Sequence, residues 1–328
     1  MKDDFSNLPL KDEIPGAMQS HLGKLLGRIR HMHGVYGLGR RWEKVWGKQE
    51  LFEPNVAHHE ICMAIKNARP FAVGRLGGVE ASIMMWALGI KPETGMLAPP
   101  LTFLETQLGA TNAGIRPRNK PSYRLFAKLC KESLAMLDWQ GVWKTSYEAA
   151  CLERLSPRQL VNVETLAPSD TPGEHWMDAL EGKRVLVVSP FDATIRSQIP
   201  KLGGVWGKRG WAVNAEFKVV PFLYLIDENC GETWWGVYQR IATVIEGADY
   251  DVGLFGCGGL GLLFAADAKR AGRVGIHLGG HLQLLFGIYG KRHLEQEWFR
   301  AMINQYWVRP DSSEVPETAQ RVENGCYW

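Results

Sequence analysis

Apolar residues recur along most of this chain at two spacings, one typical of buried strands and the other typical of helices. Short apolar runs predict strands at residues 71–74, 183–189, 216–220, 250–255 and 273–277. Apolar positions three or four residues apart predict helices at residues 56–69, 81–88, 121–138, 234–245 and 262–270. Strands that alternate with helices of about 10–15 residues indicate parallel βαβ units. The pattern therefore predicts an α/β fold: a Rossmann-like, doubly wound, mostly parallel sheet.

The N-terminal part of the chain has a different pattern. Residues 1–15 are polar and acidic, which is not typical of a signal peptide. Residues 21–48 contain seven Lys or Arg and one Glu, with leucines at helical spacing between the charges. We interpret this segment either as a basic amphipathic helix that contacts anionic lipid headgroups or as a solvated helix packed on the protein. The chain is accordingly divided into a helical N-terminal extension (1–50), a Rossmann-like domain (51–310) and a C-terminal tail (311–328).

Composition narrows the class of protein. The 328 residues are 45% hydrophobic and 22% charged, as in ordinary globular proteins. The net charge of +3 gives no indication of a nucleic-acid partner. The six cysteines form no Cys-x-x-Cys pair, so neither a zinc module nor a disulfide framework is expected. Since no window approaches about 18 consecutive apolar residues, we expect a cytoplasmic protein, at most peripherally bound at the inner face of a membrane.

A glycine-rich turn follows the predicted strand 250–255. Gly256, Gly258 and Gly261 have the G-x-G-x-x-G spacing that lets a main chain approach a phosphate at the start of a helix, and Gly259 adds a fourth glycine. A nicotinamide dinucleotide also needs an acidic residue at the end of the next strand, where this chain has His277. We therefore interpret the turn as phosphate-binding rather than as an NAD site. A glycine turn that serves only close packing is the alternative.

The motif Arg75-x-Gly77-Gly78-x-Glu80 lies between a predicted strand and a predicted helix. The planar guanidinium of Arg75 suits a phosphate group, to which Gly77 and Gly78 allow close approach. A carboxylate at the mouth of the sheet, here Glu80, suits a general base or a metal ligand. The alternative is an Arg–Glu ion pair that holds a tight turn.

Two further sets of polar residues follow other predicted strands. His277 and His281 are candidates for phosphate binding or acid–base chemistry. The Gly-Gly pair between these histidines argues against a shared metal ion. Residues around the end of the strand 183–189 are expected to line the same cleft: Ser189, Asp192, Thr194 and Arg196. Ser189 lacks the G-x-S-x-G context of a hydrolase nucleophile.

The Arg75–Glu80 motif resembles the R-x-G-D-G-E motif of GT-D-type glycosyltransferases. The glycine-rich turn and the I-x-x-G-H end of that family are matched at 255–261 and 275–281. Residues 283–288 and 323–328 look like those of bacterial relatives from surface-polysaccharide loci. This resemblance implies a Rossmann-like transferase that moves a sugar from a nucleotide-sugar donor to a glycan, glycoconjugate or lipid-linked acceptor.

The resemblance implies catalytic roles for Glu80 and Arg75 and phosphate binding by the matched glycines and histidines. It also implies a Mn²⁺ or Mg²⁺ ion, but Gly78 stands where the family has Asp, so Glu80 is the one carboxylate left to hold a metal. Two alternatives stay open. One is an NAD(P)-dependent oxidoreductase that uses the Gly256–Gly261 turn, and the other is a non-catalytic module that binds nucleotide or glycan.

Overall fold

The computed structural model describes residues 50–90, 108–155, 159–209, 214–226 and 231–328. Seven strands form one sheet: β1 (Phe71–Arg75), β2 (Trp139–Val142), β3 (Gln159–Asn162), β4 (Arg184–Ser189), β5 (Glu216–Pro221), β6 (Val252–Phe255) and β7 (Val274–His277). Their order across the sheet is β3-β2-β1-β7-β6-β4-β5, and every neighbouring pair is parallel. The predicted parallel α/β fold is confirmed.

Helices cover both faces of the sheet. They are α1 (Pro54–Lys66), α2 (Gly78–Leu88), α3 (Lys120–Leu134), α4 (Ser146–Leu155), α5 (Asp192–Gln198), α6 (Leu202–Trp206), α7 (Trp234–Gly247), α8 (Gly261–Arg270), α9 (Leu282–Leu285) and α10 (Glu297–Arg300). Successive strand residues point to opposite faces. Ala72 therefore packs in the core formed with α2, α3, α7 and α8, whereas Phe71 and Val73 pack in the core formed with α1.

Local sequence explains where individual helices begin and end. Asn119 caps α3, because its side chain accepts a hydrogen bond of 2.8 Å from the Ser122 N–H, and a proline follows in the first turn. Helix α2 ends at Gly89, whose φ of +63° is a left-handed conformation that favours glycine.

The five predicted strands are confirmed, with ends that differ by no more than two residues. Strands β2 and β3 were not predicted. Each has only four residues, and each includes polar side chains, so neither forms an apolar run. Gln140 in β2 is wholly buried and is hydrogen-bonded to the buried Glu148, which lets a polar residue occupy a core strand.

The strand order determines where a ligand has access to the sheet. From β1 the chain proceeds outward to β2 and β3, whereas β7 reaches the other side of β1 by way of β6. In parallel α/β sheets, ligands bind beyond the carboxyl ends of the strands, where the strand order reverses. The chain leaves β4 toward β5 and leaves β6 toward β7, in opposite directions, so the order reverses between β4 and β6. The next strand ends along the sheet are those of β7 and β1, at His277 and Arg75.

The predicted basic segment 21–48 lies outside the described residues. Among the helices that the structure describes, none combines the length and the apolar character needed to cross a membrane. The cysteines in the described ranges are free and buried: Cys62, Cys130, Cys151, Cys257 and Cys326.

Candidate active site

A cavity of about 590 Å³ opens at the carboxyl ends of β1, β2, β4, β6 and β7. Ligand sites for small molecules commonly have volumes of roughly 300–1,000 Å³. Each of these strands contributes a residue at or just beyond its end, namely Arg75, Trp143, Ser189, Gly256 and His277. The sheet therefore brings together the ends of separate βα units around one space.

The Arg75–Glu80 motif forms one wall of the cavity. Gly77 is the N-cap of α2 and, since it has no side chain, forms no cap hydrogen bond. A Cβ at Gly77 would overlap the carboxylate of Glu80, so glycine leaves room for that side chain. Gly77, Gly78 and Glu80 all line the cavity. The N–H groups of a helix's first turn lack partners within the helix and favour negative charge, so this wall suits an anion.

Two guanidinium groups lie against adjacent glycines in the turn after β7. A Cβ at Gly279 would overlap Nη2 of Arg75, and a Cβ at Gly280 would overlap Nη2 of Arg292. Gly279 also has a φ of +52°. The Gly-Gly pair therefore admits both arginine side chains to the same edge of the cavity.

Aromatic rings hold these two arginines in place. The Cζ atom of Arg75 lies 5.3 Å from the ring centroid of Trp143, and the Cζ atom of Arg292 lies 4.2 Å from that of Tyr327. Both distances are within the range of a cation–π interaction. Trp143 remains 43% exposed at the cavity.

The cations of the cavity have no carboxylate partner in the described ranges. Within the described part of the chain, Arg75, Arg292 and Lys144 form no ion pair. The Arg75–Glu80 ion pair considered as an alternative is therefore not formed. Burial lowers the pKa of Arg75 to about 10, against the raising effects of Tyr327 and Glu80, so the side chain stays charged at neutral pH. Positive groups in a partly closed cavity are stabilised by a bound anion.

Burial raises the pKa of Glu80 above its usual range, whereas the residue's own main chain and Arg75 lower it. A carboxylate with a raised pKa holds a proton more readily than an exposed one. Such a group, lining the cavity beside the anion-binding wall, is suited to proton transfer.

The structure separates the two predicted histidines. His277 lines the cavity, is buried, and has no hydrogen-bond partner for Nδ1 within the described residues. Nδ1 of His281 likewise has no partner there, but this residue does not line the cavity. Burial and the charge of Arg75 hold the pKa of both imidazoles well below the usual range, so both are neutral near pH 7.

In the glycine-rich turn after β6, some glycines line the cavity and others allow close packing. Gly256 and Gly258 line the cavity. The N–H groups of Gly256 and Gly259 already donate to main-chain oxygens, at 3.0 Å each. A Cβ at Gly261 would overlap the His277 ring, and one at Gly259 would approach the Ala113 oxygen to 3.1 Å. The close-packing alternative therefore describes Gly259 and Gly261, neither of which lines the cavity.

Of the four residues predicted around the end of β4, only Ser189 lines the cavity. Asp192 and Arg196 form an ion pair of 3.7 Å on α5. Thr194 donates its hydroxyl to Glu314, which also accepts a hydrogen bond of 2.6 Å from the Ala193 N–H. These contacts attach residues of the C-terminal tail to the start of α5 instead of binding a ligand in the cavity.

Several cavity residues were not predicted as site residues. Lys144 and Trp143 follow the unpredicted strand β2, and Asn112 precedes α3. Arg292, Glu323, Tyr327 and Trp328 come from the last part of the chain. The segment 323–328 is singled out in the sequence only by its resemblance to bacterial relatives, and no local pattern predicts that it lies at the cavity.

The described residues do not assemble a divalent-metal site. No group of three or more His, Cys, Asp or Glu side chains in these ranges is arranged to hold a metal ion. Glu80 lies at the N-terminus of α2, and the positive charge of Arg75 acts on it, which disfavours a second cation there. This donor set does not fit a resident Mn²⁺ or Mg²⁺ ion.

A scan against models of protein families, a search of curated proteins and a search of solved structures each gave no match to this chain. Because a fold does not determine a function, the site itself has to carry the functional argument.

Proposed function

We propose that this protein is a glycosyltransferase that moves a sugar from a nucleoside-diphosphate sugar to a glycan, glycoconjugate or lipid-linked acceptor in bacterial surface-polysaccharide synthesis. The observation that carries the proposal is a group of three cations that have no carboxylate partner among the described residues: Arg75, Arg292 and Lys144. A bound diphosphate supplies negatively charged partners for these three side chains. The uncapped start of α2 adds N–H donors on the same side of the cavity.

This arrangement suits the charge that develops during transfer. The acceptor hydroxyl forms a bond to the anomeric carbon, while the bond from that carbon to the β-phosphate oxygen breaks and leaves its electron pair on the phosphate. Fixed cations near the phosphate stabilise the departing group more strongly than they stabilise the bound donor. Arg75 and Arg292 take this role, and Glu80 accepts the hydroxyl proton.

The two alternatives differ from this proposal in what binds and what is produced. An NAD(P)-dependent oxidoreductase needs an acidic side chain at the end of the strand after the glycine-rich turn, to bind the ribose hydroxyl. In this chain that strand is β7, which ends at His277. A non-catalytic module uses the same cavity but releases no product.

Thermal shift measurements test the proposal with UDP, GDP, CMP, dTDP, NAD and NADP, each with Mn²⁺, Mg²⁺ or EDTA. We expect one nucleoside diphosphate to raise the melting temperature, because it binds the folded state. The shift is expected to disappear in Arg75→Ala and Arg292→Ala and to persist in Arg300→Ala, an exposed arginine outside the cavity. A shift with NAD or NADP alone favours the oxidoreductase. If no nucleotide changes the melting temperature, the transferase proposal is contradicted. If a nucleotide binds but the corresponding sugar nucleotide is not turned over, the binding module is favoured.

A further inference from the structure

Left-handed backbone at residues other than glycine is concentrated around the cavity. Of four such residues in the described ranges, Lys144 (φ +59°) and Glu323 (φ +47°) line the cavity, and Asn324 (φ +56°) follows Glu323. Gly325, at φ +73°, makes three left-handed residues in succession. This conformation is unfavourable for residues with a Cβ and is found disproportionately at functional sites. At Glu323 it sets the direction in which the Cα–Cβ bond leaves the main chain.

The C-terminal segment that carries Glu323 is attached firmly to the turn before α10. The Arg292 N–H donates to the Cys326 oxygen at 3.2 Å, and the Lys291 N–H donates to the Trp328 oxygen at 3.1 Å. A Cβ at Gly290 would overlap the main chain of Tyr327. The segment therefore passes directly over Gly290, and Glu323 is held as part of a fixed wall.

The carboxylate of Glu323 has polar but uncharged partners. It accepts a hydrogen bond of 3.4 Å from Nδ2 of Asn112 and one of 3.2 Å from Sγ of Cys326. Within the described residues it forms no ion pair, although Arg75 and Arg292 are close enough for its charge to raise their pKa values. Glu323 is exposed, and both it and Asn112 line the cavity.

A carboxylate beside a carboxamide is well matched to a sugar. The carboxylate oxygens accept hydrogen bonds from hydroxyl groups, and the carboxamide both donates and accepts them. Hydroxyl groups on neighbouring sugar carbons need both kinds of partner at short range. The cation-lined edge of the same cavity is suited to the diphosphate instead.

We propose that Glu323, supported by Asn112, is the specificity-determining residue that binds the hydroxyl groups of the donor sugar and restricts the donor to neutral sugars. This inference rests on the proposed function. An anionic sugar such as a hexuronate would bring its carboxylate toward Glu323 and Glu80, and like charges at short range in a partly closed cavity repel.

Isothermal titration calorimetry tests the inference with three series of ligands: UDP, UDP-glucose and UDP-glucuronic acid; GDP, GDP-mannose and GDP-mannuronic acid; and dTDP, dTDP-glucose and dTDP-glucuronic acid. For the base that binds, we expect the neutral sugar to improve affinity about tenfold over the bare diphosphate, as a hydrogen bond to a charged group does. Glu323→Ala is expected to remove this improvement and to leave affinity for the diphosphate unchanged. The wild type is expected to bind the uronate about tenfold more weakly than the neutral sugar, and Glu323→Gln to reduce that difference.

Two variants serve as controls. Glu317→Ala removes an exposed carboxylate of the same segment that does not line the cavity, and Asn324→Gly keeps the left-handed backbone without a side chain. Both are expected to bind all ligands as the wild type does. If no diphosphate binds to the wild type, the proposed function and this inference fail together. If the diphosphate binds but its sugar adds no affinity, or Glu323→Ala leaves the added affinity intact, the inference alone fails. The inference is also overturned if Glu323→Ala lowers the affinities for the diphosphate and for the sugar nucleotide equally, because Glu323 would then maintain the shape of the cavity and not bind the sugar.

Discussion

Glu80 and Glu148 occupy the same position in two successive βα units, but their surroundings differ. Each is the third residue of the helix that follows its strand, α2 after β1 and α4 after β2. Burial raises the pKa of both carboxyls. Glu148 is wholly buried and does not line the cavity, whereas Glu80 is half-buried and does.

The residue that precedes each helix accounts for the difference. Thr145 and Glu148 form a reciprocal capping pair: the Glu148 N–H donates to Oγ1 of Thr145 at 3.3 Å, and the Thr145 N–H donates to the Glu148 carboxylate at 3.4 Å. The same carboxylate accepts a hydrogen bond of 2.9 Å from the Trp143 N–H. Helix α2 has Gly77 in place of the threonine and no side-chain cap. Thr145 closes the start of α4 around Glu148. At α2 the glycine leaves room for the Glu80 carboxylate, and this helix start stays open to the cavity.

The largest expected effect separates the two glutamates by activity. Glu80→Gln should reduce release of the nucleoside diphosphate from its sugar nucleotide by at least about 100-fold, because it removes a group placed for proton transfer. The fold should be unchanged. Glu148→Gln is the matched control and should keep most of the turnover, since its carboxyl does not reach the cavity. Steady-state assays at pH 7 measure both, and retained turnover in Glu80→Gln would remove this residue from the mechanism.

This contrast also shows what the sequence reveals and what it hides. The Arg75–Glu80 motif stands out because its glycines and charges lie within six consecutive residues after an apolar strand, and the structure places that motif in the cavity. Glu148 follows a short strand with a buried glutamine, so the strand forms no apolar run. The Thr145-x-x-Glu148 spacing is typical of a capping box, but it indicates a helix start and not a site.

Arg292 and Glu323 are hidden for a different reason. They lie far along the chain from β1, and Glu323 reaches the cavity because the final segment folds over Gly290. Local patterns predict elements and the turns between them. They do not record which distant segment packs against a given turn. The wrong expectation for Asp192 and Arg196 has another cause, because an i, i+4 pair on one helix is a local contact.

The next effect is on stability, and here we expect the substitution at Glu148 to have a larger effect than the substitution at Glu80. Glu148→Ala leaves the N–H groups of Trp143 and Thr145 and the Gln140 amide without their acceptor, at about 1–3 kcal/mol for each donor that stays buried. We expect the free energy of unfolding to fall by about 3 kcal/mol. Glu80→Ala should cost less than about 1 kcal/mol, because that carboxylate faces the cavity. Urea unfolding with equal m-values for all three proteins measures the difference, and equal losses would refute the distinction.

The smallest effect per step of the measurement, at most about 1.4 kcal/mol for each pH unit, is a pH dependence of stability that belongs to Glu148. Burial raises the pKa of this carboxyl from 4.5 to about 8, and the groups that hydrogen-bond to it, Gln140 and the main-chain N–H groups of residues 143–145, are uncharged. Between these values the folded state binds the proton more tightly than the unfolded state does. The contribution of Glu148 to stability is therefore fully present below about pH 4.5 and falls as the pH rises toward 8. One proton gives a slope of at most about 1.4 kcal/mol per pH unit.

Glu148→Gln does not titrate, so its stability relative to the wild type should improve steadily in urea unfolding from pH 5 to pH 8. Parallel curves for the two proteins would show that Glu148 is ionised in the folded state throughout this range, and the distinction between a closed and an open helix start would then rest on activity and on Glu148→Ala alone.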